Sequence, residues 1–486
     1  MASKPFYITT TLPYVNAEPH IGFAMEIIRA DIIARFKKST GHEVFFNTGT
    51  DEHGIKVYRK AQEQHVDTQE YVDGLSAKYR ELAKALGVAT NEKGITFNFI
   101  RTTDPHHKKA AQEFWKLVDK NGYIYKKEYA IKYCVGCELE KTESELVNNR
   151  CPLHPLQELE IIQEENYFFK ASAFKVKLLE LYSARLEFVI PEFRFNEIKS
   201  LLQHEGLKDF SISRLVTKMP WGVPVPNDST QVMYVWFDAL VDYISAIGWP
   251  DDTETFKKWW METGGVVQYC GKDNLRQQSA MWQAMLMAAG LPPSNTIIIN
   301  GFITGEGGLK MSKSLGNTVN PLDIVNEYGA DALRYYVARE LSQFEDSPFT
   351  PEKFKEAYNS GLANGIGNLT SRIMKMAEAN IGKVVVKAPD LEAFQAVLSR
   401  YDIKGAADLI WSRISELDSL IQKEEPFKRV KDEKTKAHAL DIIERLVKEL
   451  AEIAHLLEPI LPNTAKAIQA CIAENKPPAT PLFMRK

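Results

Sequence analysis

The alternation of strand-like and helix-like segments is the feature that most limits how this chain can fold. Residues 6–11 and 43–47 have strand-like compositions, and between them, over residues 20–38, apolar residues recur every three or four positions as in an amphipathic helix. The alternation returns later, in strand-like segments 232–236, 266–269 and 296–299 and helix-like segments 238–247 and 277–290. Alternating strands and helices predict an α/β fold, in which helices cover a parallel sheet.

Two stretches depart from this alternation. Between about residues 121 and 225, short strand-like runs and a cysteine cluster replace it, which indicates a domain inserted between two halves of the α/β domain. From residue 351 onward strand patterns largely vanish, and the apolar spacing over 440–457 is typical of a helix in a bundle. The chain is therefore predicted to be a split α/β domain followed by an all-α helical bundle.

Composition excludes several classes of protein. The 486 residues are 44% hydrophobic and 26% charged, which is ordinary for a folded chain. Apolar runs are far shorter than the roughly 20 residues that span a bilayer, so no membrane association is expected. The N-terminus lacks the basic and apolar segments of a signal peptide, so we expect a cytoplasmic protein. With a net charge of −4, an RNA partner would have to be bound by local patches.

Three of the five cysteines lie close together in the sequence. Cys134 and Cys137 form one C-x-x-C pair, and after thirteen residues Cys151 and His154 form a C-x-x-H pair. This spacing fits a tetrahedral Zn²⁺ site with three thiolates and one imidazole. Four protein ligands leave no open position, so we expect one structural zinc ion per chain. The alternative is a chance spacing of buried cysteines.

A first candidate for phosphate binding is the segment Pro19-His20-Ile21-Gly22-Phe23, which lies between a predicted strand and a predicted helix. A helix N-terminus offers unpaired N–H groups and a partial positive charge, which suit an anion. Gly22 would let a ligand approach the backbone, and His20 could donate to a phosphate oxygen. The alternative is that His20 caps the helix and Gly22 eases packing.

A second candidate is the glycine-rich segment 305–316, which contains a Lys-x-x-Lys core. Glycines on both sides favour a mobile loop that closes over a triphosphate, with Lys310 and Lys313 neutralising charge on the leaving pyrophosphate. No Gly-x-x-x-x-Gly-Lys-Ser/Thr phosphate-binding loop occurs in the chain. The alternative is a solvated surface loop.

Together, these two motifs resemble the HIGH and KMSKS signatures of class I aminoacyl-tRNA synthetases. The resemblance is closest to the methionyl-tRNA synthetase family and covers nearly all of the chain. Further segments that resemble this family are 9–14 (TTTLPY), 49–54 (GTDEHG), 234–239 (YVWFDA), 271–273 (GKD), 329–336 (GADALRYY) and 359–372.

The resemblance implies a Rossmann-like parallel-sheet catalytic domain, split by a zinc-binding insertion and followed by an all-α anticodon-binding helical bundle. It also implies a methionine–tRNA ligase, which activates L-methionine with ATP to methionyl-adenylate and pyrophosphate and then transfers methionine to the 3′ end of tRNA(Met). The implied divisions are 1–120 and 229–303 for the two halves of the catalytic domain, 121–228 for the insertion, 304–350 for the KMSKS loop and stem-contact region, and 351–486 for the anticodon-binding domain.

The resemblance assigns residues to both small substrates. Those expected to bind ATP, with its Mg²⁺, are His20, Gly22, Phe23, Lys310, Met311, Ser312, Lys313 and Ser314; of these His20, Gly22, Lys310 and Lys313 are expected to be catalytic. Those expected to bind methionine are Leu12, Tyr14, Asp51, Trp236, Leu240, Tyr243, Asp273, Gln278 and Trp282. Asp51 would hold the ammonium group, and an aromatic pocket suits a soft thioether. The alternative for any one of the aromatic residues is a place in the core.

Two positions depart from the family pattern. Phe23 stands where the HIGH signature ends in histidine, and Gln278 stands where many members have a pocket histidine. Loss of the histidine donor leaves open an alternative function, that of a non-catalytic or impaired tRNA-binding paralogue. Another class I enzyme is the nearest rival, but the roughly 105 residues of the insertion leave little room for an editing domain.

For tRNA, the resemblance implies that Asn368, Arg372 and Phe427 contact the CAU anticodon. Asn368 and Arg372 lie four apart, so on a helix both would project from one face. An arginine can stack on an unpaired base and an asparagine can read a base edge. The alternatives are two solvated polar residues and a phenylalanine in the bundle core. The chain ends soon after the predicted bundle, and a monomer is expected.

Overall fold

The structure is a computed structural model that describes residues 3–88, 94–137, 139–141, 146–308, 311, 319–386 and 391–486. The chain forms two compact units. The first contains residues 1–19, 42–81 and 91–299, and the second contains residues 20–41, 82–90 and 300–486. No helix among the described residues is long and apolar enough to cross a membrane.

Most of the strands lie in the first unit. In chain order they are β1 (Pro5–Thr10), β2 (Glu43–Thr50), β3 (Ile95–Arg101), β4 (Ile124–Cys134), β5 (Leu139–Lys141), β6 (Glu160–Phe169), β7 (Val189–Ile190), β8 (Phe210–Ser211), β9 (Ser213–Leu215), β10 (Pro224–Val225), β11 (Asp228–Met233), β12 (Val267–Gly271) and β13 (Thr296–Asn300).

Six of these strands form a parallel sheet in the order β3-β2-β1-β12-β13-β7. The strand order changes direction between β1 and β12, because β2 and β3 continue to one side and β13 and β7 to the other. In an open α/β sheet, ligands bind outside the carboxyl ends of the strands at such a point. The predicted parallel sheet is therefore confirmed, and it places the ends of β1, β2 and β12 at one edge.

Gly49 holds the neighbouring strands β2 and β3 close together near this edge. A Cβ atom at Gly49 would lie 1.8 Å from the carbonyl oxygen of Ile100, so any other residue would force the two strands apart. The register of Thr50 against Arg101 depends on this close approach.

Among the described residues, antiparallel pairing is found only within 124–233. β5-β4-β6-β8 form one sheet and β10-β11-β9 another. The strand predicted at 232–236 is wrong in its second half, since β11 ends at Met233 and a helix begins at Val235. The physical reason is that the Tyr234 carbonyl accepts from the Phe237 N–H (2.9 Å), which begins the helix.

Helices of the first unit cover the parallel sheet and support its edge. The α-helices are Ile55–Glu63, Thr68–Ala85 (which continues into the second unit), Pro105–Lys120, Lys175–Ala184, Glu192–His204, Val235–Ala239, Asp242–Ser245, Thr253–Phe256 and Trp282–Ala288; the 3₁₀ and π segments are Ala171–Phe174, Lys257–Met261, Lys272–Asn274 and Gln277–Met281.

The second unit is mainly helical. Its α-helices are Ile21–Ser39, Pro321–Tyr328, Ala330–Tyr335, Pro351–Ala357, Asn368–Asn380, Glu392–Leu398, Ile403–Glu424, Pro426–Arg429, Lys436–Leu457 and Pro462–Glu474; its 3₁₀ and π segments are Glu306–Gly308, Tyr336–Glu340 and Tyr358–Gly367; and its short strands are β14 (Ile303–Thr304) and β15 (Ser347–Pro348). In helix Lys436–Leu457, Ile443, Leu446 and Leu450 are completely buried, which confirms the predicted bundle helix.

Helix Ile21–Ser39 is not amphipathic, contrary to the prediction. Every residue from Phe23 to Phe36 is buried, including charged side chains. Burial of these charges is possible because they are paired: Arg29 donates to Asn300 Oδ1 (3.0 Å), and Asp31 binds both Arg35 (2.7 Å) and Arg334 (2.7 Å). All these partners belong to the second unit.

Candidate active site and metal centre

The segment that follows β1 lies directly beside the residue that follows β2. Tyr14 and Asp51 form an isolated parallel bridge, in which the Asp51 N–H donates to the Pro13 carbonyl (3.0 Å) and the Val15 N–H donates to the Asp51 carbonyl (3.0 Å). Leu12 is partly buried in the same segment. The structure thus brings a buried carboxylate and a partly exposed aromatic ring together at the carboxyl edge of the sheet.

Trp236 connects the apolar residues predicted to surround the substrate. It packs against a small cluster that also receives Tyr14, and against the main core cluster of the first unit. That core cluster contains Leu240, Tyr243 and Trp282, and the Tyr243 and Trp282 ring centroids are 5.9 Å apart. Among the described residues, the buried Nε1 atoms of Trp236 and Trp282 have no hydrogen-bond partner. Buried donors without an acceptor are unusual in a protein core. They fit a site at which a ligand or a water molecule accepts the hydrogen bond.

Gln278 fixes the hydroxyl group of Tyr243. Its Nε2 donates to the Tyr243 Oη atom (2.8 Å), and its Oε1 accepts from Gln268 Nε2 (2.8 Å). All three side chains are buried. The glutamine that stands in place of the family's histidine therefore binds the tyrosine hydroxyl. Asp273, by contrast, lies exposed on the 3₁₀ turn that follows β12.

A buried hydrogen-bond network, not predicted from the sequence, lies behind these residues. The Asp238 carboxylate is completely buried and accepts from His53 Nδ1 (2.6 Å) and His107 Nε2 (2.9 Å). Burial alone would raise the pKa of Asp238, but attraction to His53 and hydrogen bonding to both histidines outweigh it and hold that pKa well below its ordinary value. The carboxylate is therefore ionised inside the protein.

In the second unit, His20 caps helix Ile21–Ser39. Its Nδ1 accepts from the Gly22 N–H at 3.0 Å, so a neutral His20 carries its proton on Nε2. A Cβ at Gly22 would lie 2.8 Å from His20 Cε1, and thus glycine is needed for this arrangement. The capping role that was the alternative for His20 is therefore present in the structure, and it uses Nδ1. The Phe23 side chain is buried.

Most of the predicted lysine loop lies outside the described residues. Lys310, Ser312, Lys313 and Ser314 lie outside the described residues, and Met311 is partly buried.

The cysteine cluster forms a compact set of ligand atoms in the first unit. The Sγ atoms of Cys134, Cys137 and Cys151 lie 3.7, 3.2 and 4.0 Å from His154 Nδ1, and the sulfurs of Cys137 and Cys151 are 3.4 Å apart. A tetrahedral zinc ion with Zn–S bonds of about 2.3 Å would hold two sulfurs about 3.8 Å apart, so these residues fit a metal ion. All three cysteines are free of disulfides. A Cβ at Gly136 would lie 2.5 Å from the His154 ring, so the loop closes only with glycine there.

The three residues expected to read the anticodon lie on helices of the second unit. Asn368 and Arg372 are on helix Asn368–Asn380, where Asn368 is exposed and Arg372 forms an ion pair with Asp418. Phe427 is 43% exposed, with the Lys428 ammonium 5.8 Å from its ring centroid. The alternative that placed Phe427 in the bundle core is therefore wrong.

Comparison with known proteins identifies the family. A family described as tRNA synthetases class I (M) matches residues 6–158 and 136–374. The methionine–tRNA ligase of Thermosynechococcus vestitus is 38% identical over 487 residues, which cover 96% of this chain and 89% of that relative. This chain belongs to the methionine–tRNA ligase family.

Solved structures of this ligase family have the same fold. Mycobacterium tuberculosis methionyl-tRNA synthetase in complex with methionyl-adenylate superposes with a TM-score of 0.88 at 33% identity, covering 96% of this chain and 93% of that chain. The free-state enzyme of the same organism gives a TM-score of 0.81 at 29% identity, covering 100% and 98%. The resemblance to methionyl-tRNA synthetases and the predicted fold class are both confirmed.

Two of the three residues missed by sequence reasoning lie inside segments that resemble the ligase family. His53 belongs to the GTDEHG segment and Asp238 to the YVWFDA segment. A charged residue inside an apolar run, as in Trp236-Phe237-Asp238, was the available signal, because a buried charge needs a partner. His107 stands outside these segments and offered no comparable signal.

Proposed function

We propose that this chain is a methionine–tRNA ligase that works in two steps. A carboxylate oxygen of methionine attacks the α-phosphorus of ATP, the bond from that phosphorus to the β-phosphate oxygen breaks, and pyrophosphate leaves. A terminal ribose hydroxyl of tRNA(Met) then attacks the acyl carbon, loses its proton, and expels AMP. Membership of the ligase family supports this proposal. The observation that carries the substrate assignment is that Asp51 lies beside Tyr14, whose ring belongs to the same cluster as Trp236.

Methionine binds at the carboxyl edge of the sheet in this proposal. The Asp51 carboxylate holds the ammonium group, a contact that any amino acid could make. Selectivity must then come from the apolar side, where Tyr14, Trp236 and Trp282 surround the thioether. The Gln278–Tyr243 hydrogen bond supports this side because it fixes the Tyr243 hydroxyl without adding a charge.

ATP binding involves the N-terminus of helix Ile21–Ser39. His20 donates from Nε2 to a phosphate oxygen, and Gly22 keeps the imidazole in place. Lys310 and Lys313 neutralise charge on the departing pyrophosphate, and Mg²⁺ accompanies ATP as its counter-ion. The reaction needs no covalent nucleophile from the protein, so positioning and charge stabilisation account for catalysis.

Phe23 bears on the alternative of a non-catalytic paralogue. Its buried side chain contributes packing, and it cannot donate a hydrogen bond as the usual histidine does. His20 still offers a donor, and the relatives that match are ligases, so the non-catalytic alternative has no support from them.

Zn²⁺ is held by Cys134, Cys137, Cys151 and His154 in this proposal. A metal with four protein ligands supplies structural stability and no open position for chemistry. The tRNA is recognised through its CAU anticodon by Asn368, Arg372 and Phe427; the exposure of Asn368 and Phe427 supports this assignment.

We also propose a cytoplasmic monomer. A cluster of three reduced cysteines suits a reducing compartment. A native mass near twice 55.2 kDa would contradict the monomer.

Amino-acid-dependent ATP–pyrophosphate exchange, with each of the twenty amino acids and without tRNA, tests the activation step. Exchange with methionine alone is expected. Exchange with another amino acid would overturn the substrate assignment, and no exchange from folded, zinc-replete protein that binds ATP would favour the non-catalytic alternative.

A further inference from the structure

The Asp238 carboxylate joins parts of the first unit that are far apart in sequence. His53, which donates to it at 2.6 Å, lies in the segment after β2 and is 185 positions away. His107, which donates at 2.9 Å, lies in the first turn of helix Pro105–Lys120. Asp238 itself belongs to the short helix Val235–Ala239. One buried acceptor therefore ties three elements together.

Two of these elements carry the proposed methionine contacts. His53 lies two residues after Asp51, the proposed ammonium partner, and Asp238 lies two residues after Trp236, which forms the apolar wall. The His53–Asp238 hydrogen bond is thus a direct link between the segment that binds the charged end of the substrate and the segment that binds its side chain.

The segment that contains Asp51 is also held from its other side. The Glu52 carboxylate accepts from Arg101 Nε (2.7 Å) and Nη2 (2.8 Å), and the Glu52 carbonyl accepts from Trp221 Nε1 (2.6 Å). These bonds fix the segment to β3 and to residue 221, but they do not reach Trp236. Among the hydrogen bonds of the described residues, the one from His53 to Asp238 joins the segment of Asp51 directly to the helix of Trp236.

The donors match an ionised acceptor. Both histidine nitrogens can donate an N–H, and a carboxylate is an acceptor only, with two oxygens. His107 is held in turn, since its Nδ1 lies 2.8 Å from Ser245 Oγ. Charge-assisted bonds of this kind are roughly twice as strong as neutral ones, so they suit a contact that fixes two segments relative to each other.

We propose that Asp238 is a positioning residue that fixes the ammonium-binding carboxylate of Asp51 and the apolar wall at Trp236 as one preformed methionine site. This inference rests on the proposed function. Asp238 contacts neither substrate, and it acts through His53 and through its own helix. Its loss should therefore weaken the binding of methionine and leave the binding of ATP unchanged.

The test is the variant Asp238→Asn, measured by ATP–pyrophosphate exchange at varied methionine and varied ATP. We expect the KM for methionine to rise about tenfold or more, while the KM for ATP stays within about twofold. The amide has one acceptor oxygen where the carboxylate has two, so one histidine bond is lost and the other becomes neutral. Asp242→Asn is the matched control, because Asp242 is also buried on the next short helix and makes no bond to either histidine. It should leave both KM values unchanged.

A second readout separates positioning from general support of the fold. The desamino analogue of methionine, 4-(methylsulfanyl)butanoate, keeps the thioether and lacks the ammonium group. If Asp238 sets Asp51 relative to Trp236, the advantage of methionine over this analogue as a binder should shrink in Asp238→Asn. Equal weakening of both compounds, or a parallel rise in the KM for ATP, would overturn the proposal.

A variant that leaves Asp238 in place covers the case in which Asp238→Asn does not fold. His53→Leu removes the link to Asp51 and retains the bond from His107, and it should give the same selective rise for methionine. An unchanged KM for methionine in folded His53→Leu would overturn the proposal. If the unaltered protein shows no methionine-dependent exchange but still binds methionine by tryptophan fluorescence, the proposed function fails, and the same comparison by binding alone still tests Asp238.

Discussion

Asp238 and Asp242 lie four residues apart and are both buried, yet their surroundings shift their acidities in opposite directions. The pKa of Asp238 is lowered by its two histidine partners, against the effect of burial. The pKa of Asp242 is raised well above its ordinary value by burial first and by the negative charge of Asp238 second. Asp242 therefore keeps its proton because it is buried and, in second place, because its neighbour is negatively charged.

This relationship predicts how stability depends on pH. Native Asp242 retains a proton that the unfolded chain releases above about pH 3.8, so its contribution to the free energy of unfolding falls as pH rises from there toward the native pKa. In Asp242→Asn this loss is absent. Urea unfolding at a series of pH values should show the variant gaining stability relative to the unaltered protein as pH rises. A difference that does not change with pH would contradict the prediction.

The contact between His20 and Gly22 predicts a loss of activity without a loss of fold. In Gly22→Ala the new Cβ would lie 2.8 Å from His20 Cε1, so the imidazole must turn away. A displacement of about 1 Å can cost roughly a hundredfold in rate, and we expect a loss of that order in methionine-dependent exchange. Gly74→Ala is the control, because nothing lies within 4 Å of its Cβ, and it should keep full activity. Equal activity in both variants would contradict this role of Gly22.

The bond between Gln278 and Tyr243 predicts a change in pH response. An amide does not titrate near neutrality, whereas a histidine has an ordinary pKa of about 6.5. Gln278→His should therefore give a KM for methionine that changes between about pH 5.5 and pH 7.5, relative to the unaltered protein. Gln278→Leu, which cannot hold the hydroxyl, should raise that KM by about fivefold at every pH. If the pH profile of the histidine variant is the same as that of the unaltered protein, Gln278 does not set the polarity of the pocket.

We predict that the cysteine cluster binds one zinc ion and that the local structure depends on this ion. Cys137→Ser removes one of the four ligands, so metal content by mass spectrometry should fall from one zinc per chain, and the melting temperature should fall with it. Cys471→Ser is the control, since that thiol lies outside the cluster and should keep the metal. Full zinc content in Cys137→Ser would show that the metal is not bound at this cluster.

Arg413 is a matched control for Arg372, the arginine proposed to read the anticodon, because both are similarly exposed and each pairs with a carboxylate. Arg372, paired with Asp418, is 34% exposed, and Arg413, paired with Glu452, is 35% exposed. Arg372→Ala should lower kcat/KM for tRNA by roughly 5- to 150-fold and leave tRNA-independent exchange intact. Arg413→Ala should leave both unchanged, and an equal loss in the two variants would indicate a general charge effect.

Local patterns in the sequence were sufficient for the elements and for the sites that are close in sequence. Strand-like composition placed the strands at 6–11, 43–47, 266–269 and 296–299, and periodicity placed the bundle helix at 440–457. The two C-x-x-C/H pairs brought four ligands together. Spacing carries this information because short loops and single helices limit where neighbouring residues can go.

Contacts between distant segments were not predictable in the same way. Nothing in the spacing of His53, His107 and Asp238 indicates that they meet, since register and packing decide it. Helix Ile21–Ser39 looked amphipathic because charged residues usually face water. Its charges are instead buried against partners such as Arg334, which lies more than 300 positions later.

The burial of the charged residues of helix Ile21–Ser39 against distant partners has a consequence for how the protein is made. Arg29 reaches Asn300 across 271 positions and the Gln343 carbonyl across 314. At synthesis rates of roughly 5 to 20 residues per second, tens of seconds pass between the emergence of this helix and that of its partners. Until then, its apolar faces and its unpaired charges cannot be buried together. The nascent chain must therefore keep this helix unassembled, or sheltered by a chaperone, until residues 300 to 343 have been made.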